Sequence, residues 1–143
     1  MTLRQISVFL ENKQGRLAEV VGLIAREKIN IRALSLADTA DFGILRLIVN
    51  DTEKCVAALK QAGFVAQKTE VLAAEIPDRP GGLQRVLEVF GRAGLNIEYM
   101  YAFVERKADA AIVIFRTDQP DKAARALAAE GIAVLNEEAI QSF

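Results

Sequence analysis

The 143-residue sequence predicts an α+β protein in which a β-α-β-β-α-β unit occurs twice, each copy an antiparallel sheet with its helices on one face. Three observations carry this. Gly15-Arg16-Leu17 through Asn30-Ile31 aligns with Gly81-Gly82-Leu83 through Asn96-Ile97 at a constant offset of 66; Gly15/Gly81, Leu17/Leu83, Val20/Val86, Arg26/Arg92, Asn30/Asn96 and Ile31/Ile97 are identical. Further on, Leu59/Leu127 and Gly63/Gly131 match at an offset of 68, which places a small insertion in the intervening loop of the second half. Each half also passes from a two-residue to a 3.6-residue apolar period and back. Two domains follow, 1–70 and 71–143, of a size marginal in isolation and therefore expected to share an interface.

The elements can be justified in order. Residues 3–10 alternate, with Ile6, Val8 and Leu10 on one face and Ser7 and Phe9 on the other, as a strand does. Leu17, Val20, Val21 and Ile24 then fall at i, i+3, i+4 and i+7, the stripe of an amphipathic helix, and Leu83, Val86, Leu87 and Phe90 repeat it. Asn30 and Asn96 are placed at the ends of these helices, where Asn tolerates a left-handed backbone. Residues 31–37 and 43–49 read as strands joined through Asp38-Thr39-Ala40-Asp41, and Asp41-Phe42-Gly43 reads as a turn. Asp51 or Thr52 caps a second helix that Gly63 ends; Asp118 caps its counterpart, Pro120 suits its first turn and Gly131 closes it. Phe64 to Val71 and Ile132 to Leu135 supply the last strands, completing in each half a split β-α-β, or ferredoxin-like, sandwich.

Ile44 to Val49 and Ala110 to Phe115 are apolar without alternation, and both rows of 97–104 are largely apolar. Helices cover one sheet face only, so the other is expected to be covered as well, most simply by a second subunit. The expectation is a homodimer through the open sheet face.

Composition excludes several classes. Hydrophobic residues make up 52%, enough for a core, while 18 basic against 19 acidic side chains give a net charge of −1, which argues against disorder. An isoelectric point near 5.6 leaves no electrostatic footprint for a nucleic-acid backbone or an anionic membrane. No apolar run is long enough to span a bilayer, and Met1-Thr2-Leu3-Arg4 lacks the apolar region of a secretion signal, so the reading is cytoplasmic. Histidine is absent, which removes Ser-His and Cys-His nucleophile pairs and His-containing metal sites. Cys55 is alone, among Val56, Ala57 and Ala58, and reads as a small hydrophobe inside a helix. Neither a Gly-x-x-x-x-Gly-Lys nor a Gly-x-Gly-x-x-Gly motif occurs, and no cofactor or metal is implied.

The first strand-to-helix turns carry the functional signal: Glu11-Asn12-Lys13-Gln14-Gly15-Arg16-Leu17 and Pro77-Asp78-Arg79-Pro80-Gly81-Gly82-Leu83. Glycine at a helix entrance lets a ligand approach the backbone, and the free N–H groups of the first turn can bind an anion. Asn12 and Asp78, at corresponding positions, offer oxygen to an ammonium group, so the pattern suits a zwitterion. The same glycines also serve as plain turn-formers, and duplication copies turns as faithfully as sites.

The turn, the amphipathic helix and the following Asn-Ile together resemble the signature of the ACT domain, a small amino-acid-sensing module. It reads Asn12-Lys13-Gln14-Gly15-Arg16-Leu17 with Ile29-Asn30-Ile31, and Asp78-Arg79-Pro80-Gly81-Gly82-Leu83 with Leu95-Asn96-Ile97. The second copy is nearer the common Pro-Gly, small residue, Leu pattern; the first carries Gln14 where proline is usual. The resemblance covers essentially the whole chain as two tandem copies, similar to stand-alone tandem ACT proteins of bacteria. It implies domains side by side, with an amino acid held between the turn of one and the second strand of the other. Asn12 to Leu17 would then face the strand around Glu98 to Tyr101, and Asp78 to Leu83 would face Arg32 to Leu36. Gly15 and Arg16, or Gly81 and Gly82, with Pro80 shaping the second turn, would donate amides to the carboxylate. Asn12 or Asp78 would take the ammonium, and Glu98, Tyr99 and Tyr101 would recognise the side chain. Tyr99 and Tyr101, two apart and pointing the same way, serve packing at a dimer face equally well.

The leading expectation is a non-catalytic, amino-acid-binding regulatory protein acting on a partner enzyme or transporter. The alternative is an assembly module or regulatory subunit that binds no ligand. RNA-recognition modules share the element order, but Ile44 to Val49 holds no aromatic and Ala110 to Phe115 only Phe115, against the stacking platform such modules need. An acylphosphatase-like enzyme is unsupported, because the first turn lacks a Gln-Gly-Val cradle.

Overall fold

The computed structural model describes residues 2–38, 41–104 and 108–142, so Thr39 and Ala40 of the expected Asp38–Asp41 connection lie outside the described residues. The chain divides into two compact units, Arg4–Thr69 and Glu70–Phe143 with Met1–Leu3.

The first unit runs β1 (Leu3–Glu11), α1 (Arg16–Arg26), β2 (Ile31–Asp38), β3 (Phe42–Val49), α2 (Thr52–Gln61) and the opening residues of β4 (Val65–Pro77). Its strand order is β2-β3-β1-β4. The antiparallel register Ile6↔Leu47 and Val8↔Leu45 aligns the buried rows of the two central strands. These rows meet Val20 and Ile24 of α1 and Cys55 and Leu59 of α2 in one core. The Asp51 carboxylate caps α2 by accepting from the Lys54 amide at 3.2 Å, satisfying one of the amides a helix start leaves free.

The rest of β4 opens the second unit, followed by α3 (Gly82–Arg92), β5 (Ile97–Ala102), β6 (Ala110–Thr117), α4 (Pro120–Ala129), β7 (Val134–Leu135) and α5 (Glu137–Gln141). The order β5-β6-β4-β7 repeats that of the first unit. Leu72, Ala74 and Ile76 meet Val86, Val89 and Phe90, and the Phe90 and Phe115 rings pack edge to face with centroids 5.2 Å apart. The two added residues of the second half fall between β5 and β6.

Several expectations are corrected in detail. Asp118 does not cap α4: Gln119 holds that position without a side-chain cap, and Pro120 has no N–H to satisfy there. Asp118 Oδ1 instead accepts from the Asn96 amide at 3.3 Å, as Asn50 Oδ1 accepts from the Asn30 amide at 3.0 Å. The left-handed residues after α1 and α3 are Lys28 (φ 58°) and Gly94 (φ 71°), not Asn30 and Asn96, whose backbones are engaged by these side chains. The helix stripes are shorter than their periodicity implies, since Leu17, Leu83 and Leu87 remain 38–39% exposed on the flank of the core. The last strand of the first half runs on as β4 to Pro77, whereas its counterpart β7 has two residues and hands over to α5, which no periodic pattern announced.

Burial on both rows of the central strands follows the expectation from their lack of alternation: Ile112 through Phe115 are all buried, as are Leu45, Leu47, Ile48 and Val49. Gln5, Ala33, Val71 and Ala73, on rows turned away from the helices, are also shut from solvent within the single chain. Phe9, on the same outer row, keeps 39% of its exposure, and Ile44, Tyr99 and Tyr101 are half-buried, so part of this face remains open to a second subunit. Other exposed apolar residues include Leu34 and Leu36 of β2, Phe42 at the start of β3, and Met100 of β5. No helix among the described residues is long and apolar enough to cross a membrane.

Leu59 and Leu127 occupy equivalent, fully buried places in the two cores. Truncating either to Ala should cost about 2–5 kcal/mol in urea unfolding, because the cavity left adds to the lost transfer energy. Burial, with the Asp51 carboxylate adding to it, raises the Cys55 thiol from the ordinary 9.0 to about 11. Cys55 should therefore resist thiol reagents at pH 8 until the chain unfolds. Since the unfolded thiol ionises first, its contribution should lower stability as pH rises from about 9 to 11, and Cys55→Ala should flatten that decline.

Candidate functional site

Each half makes its first strand-to-helix turn in the same way. Asn12 donates its amide to the Asp41 carbonyl at 3.0 Å, and Asp78 donates to Asp109 at 2.9 Å. One residue on, Lys13 reaches back to the Glu11 carbonyl and Arg79 to that of Pro77, both at 2.9 Å. Gly15 and Gly81 then reverse the chain with φ of 88°, a left-handed conformation that costs a side chain about 1–2 kcal/mol.

A glycine has no side chain with which to cap the helix it introduces, and neither α1 nor α3 has a side-chain cap. The ladder of α3 starts with Arg85 donating to the Gly81 carbonyl at 3.1 Å, while Gly82 donates to Arg79 at the same distance. The amides of Leu83 and Gln84 find no acceptor among the described residues, and nor do those of Leu17 and Ala18. The positive end of the helix dipole and two free donors thus coincide at each entrance.

A cavity of about 560 Å³, within the range of small-molecule sites, opens at the second entrance. Pro80, Gly81 and Gly82 form one wall. Gly131, Ile132 and Ala133, between α4 and β7, form another, tied to β4 where the Glu75 amide donates to the Ala133 carbonyl at 2.9 Å. Ala108 to Ala110 close a third side, and Val86 and Ile132 contribute apolar surface. Two cations, Arg79 and Arg85, and two carboxylates, Glu75 and Asp109, complete the lining. Arg85 is anchored by Nη2 donating to the Glu130 carbonyl at 2.5 Å, whereas the exposed Arg79 guanidinium has no ion pair or hydrogen bond among the described residues. Gly82 is required by contact: a Cβ there would stand 2.2 Å from the Pro77 carbonyl oxygen. Amides and guanidinium groups beside carboxylates and an apolar wall can hold a small zwitterion.

Of the residues singled out in the sequence, Pro80, Gly81 and Gly82 line this cavity, with Asp78 and Leu83 in the same turn but outside the lining. Asn12, Gly15, Arg16 and Leu17 form the first entrance. There the Arg16 guanidinium lies 5.1 Å over the Phe64 ring and pairs with Glu19 at 2.8 Å and Glu11 at 3.9 Å. Glu98, Tyr99 and Tyr101 lie on β5 and do not line the cavity; Glu98 is 3.6 Å from Arg116, and both tyrosines are half-buried on one side of the strand.

Sequence reasoning gave no ligand-binding role to Arg79, Arg85, Glu75, Asp109 or Ile132. Arg85 was accessible as the residue three after Gly82, on the same helix face. Glu75 interrupts the apolar run of β4, and the split β-α-β order places the segment after α4 beside the first strand.

A family model described as an ACT domain pair matches residues 1–143. A protein of known structure from Bacteroides thetaiotaomicron is 40% identical, with a TM-score of 0.93 over 100% of this chain and 98% of that one. The ligand-free regulatory subunit of aspartate kinase from Thermus thermophilus gives a TM-score of 0.64 at 16% identity, over 88% of this chain and 91% of that one. Its Thermus flavus counterpart gives 0.60 at 16% identity, over 88% and 90%. At such identity the likeness to the two kinase subunits is one of fold alone. No curated protein matches the sequence.

The geometry separates two glycine requirements. Gly15→Ala meets no atom within 4 Å and should lose only the roughly 1–2 kcal/mol of a left-handed side chain. Gly82→Ala should lose more, because the end of β4 must move, and urea unfolding of the two variants measures the difference.

Proposed function

The chain belongs to the family of ACT domain pairs, and from that premise we propose that it is a regulatory protein binding a free amino acid at the helix entrance of its second half, and not an enzyme. The observation that carries this reading is a cavity lined by both charge signs whose wall, Pro80 to Gly82, is the turn that leads straight into the uncapped start of α3, where the Leu83 and Gln84 amides have no acceptor among the described residues. The α-carboxylate sits at the entrance of α3, held by these amides and by Arg79 and Arg85. The ammonium group turns to Asp109 and Glu75, with Asp78 in reach of the same edge. The ligand's side chain packs toward Pro80, Val86 and Ile132. Ordinary ligand efficiency for so few atoms gives a dissociation constant of roughly 1 µM to 1 mM.

Regulation requires the ligand to favour one arrangement of the protein over another. An amino acid bridging the β4–α3 turn and the Gly131–Ala133 connection would do so by fixing two segments that otherwise meet across an open cavity. The partner so regulated is an enzyme or a transporter. A second reading, ligand-independent assembly, is favoured by the exposed Leu34, Leu36 and Met100, which offer apolar edges to another protein. Recovery of the same partner with and without amino acid would support it.

Calorimetric titration with the twenty amino acids should find at least one that binds in that range; binding by none removes the proposal. Arg79→Ala, at an exposed side chain without a partner among the described residues, should leave thermal stability unchanged and weaken binding about tenfold or more, the worth of a charge-assisted hydrogen bond.

A further inference from the structure

We infer that the two helix entrances are unequal by construction: Arg16 fills the first with the chain's own guanidinium, so that only the second is open to an amino acid. This rests on the preceding reading for the nature of the ligand, but the closure itself is read from the first half alone. The cavity of the second half is lined by Gly82, Arg85 and Ile132. Their counterparts, by the offsets of 66 and 68, are Arg16, Glu19 and Phe64. The Arg16 guanidinium lies 5.1 Å over the Phe64 ring, above the counterpart of Ile132, and its Nη1 pairs with Glu19, the counterpart of Arg85, at 2.8 Å. A guanidinium held over a ring and paired with a carboxylate in this way occupies the space whose counterpart lies open between Gly82, Arg85 and Ile132. Its Nε is buried without a hydrogen-bond partner, while the side chain as a whole keeps 26% of its exposure.

The charges differ in the same sense. At the first entrance the cations are already bound, Lys13 to Glu11 at 3.2 Å and Arg16 to both Glu11 and Glu19. At the second, Pro77 and Arg85 replace the two acids, and Arg79 is free of ion pairs among the described residues. Among the described residues of the two entrances, a carboxylate therefore meets unpaired positive charge at the second alone. The second entrance cannot acquire the plug by a simple substitution either, because the Pro77 carbonyl leaves no room for a Cβ at Gly82. Arg16 and Glu19 are thus the residues that set which half binds.

The test uses 1H–15N spectra of the full chain while each of the twenty amino acids is added singly. In the natural sequence, shifts should gather at Arg79 to Val86 and Gly131 to Ala133, with one equivalent bound and no response at Lys13 to Ala18 or Phe64. The Arg16→Gly, Glu19→Arg double variant should add a second set of shifts at Lys13 to Ala18 and raise the stoichiometry from one to two. Shifts at both entrances of the natural sequence, or no second set in the double variant while the second entrance still responds, would overturn the inference. If no amino acid moves either entrance, the preceding reading fails, and guanidinium decides the inference separately. Added at millimolar concentration to Arg16→Ala, it should return the Glu19 and Phe64 signals toward their natural positions. An unchanged spectrum would mean that Arg16 fills no cavity.

Discussion

A left-handed glycine between strand and helix is the constraint on which the rest of the molecule depends. Gly15 and Gly81, each at φ of 88°, turn the chain out of the sheet and straight into a helix. An Asp, Ser or Thr in that place would cap the helix and satisfy one of its first amides. Glycine provides the turn without a cap, and the amides of Leu83 and Gln84 are left without an acceptor among the described residues. The donors that make the entrance chemically useful are thus a consequence of how the fold is closed. They require no side chain of their own.

What the side chains add is the choice of what meets those donors. The two halves share their backbone turns and the tie between turn and following hairpin, Asn12 to Asp41 in one and Asp78 to Asp109 in the other. They diverge one residue later. Arg16 folds over Phe64, while Gly82 leaves its space empty because the Pro77 carbonyl allows nothing else. On the proposed reading, a duplicated frame with one entrance filled and one open would carry a single ligand.

Much of the frame was legible in the sequence because it rests on local patterns. The two offsets, the alternation of β1, the helical stripes and the αL glycines are each written within a few residues of one another. The misreadings come where the outcome is set by distant partners. Among the described residues the two-residue β7 pairs only with Ala73 and Ala74, and Asp118 is drawn from the cap of α4 to the amide of Asn96, in the distant α3–β5 connection. The site follows the same division. Pro80-Gly81-Gly82 announced itself as a turn, but the remaining walls come from the β5–β6 connection and the α4–β7 connection, brought together only by the fold. Arg16 is the clearest instance: as a letter it fits the repeat beside Gly82, and only its position over Phe64 distinguishes the two entrances.

Membership of the ACT-domain-pair family gives the frame, and the entrance chemistry of this chain supports the proposed ligand class. The most direct measurement is a crystal structure of the protein grown with a saturating mixture of amino acids. The account predicts density in the second-half cavity, with the α-carboxylate within hydrogen-bond distance of the Leu83 and Gln84 amides and the side chain toward Val86 and Ile132. An empty cavity with an amino acid seated elsewhere on the chain, or against Leu17 and Ala18 instead, would contradict it.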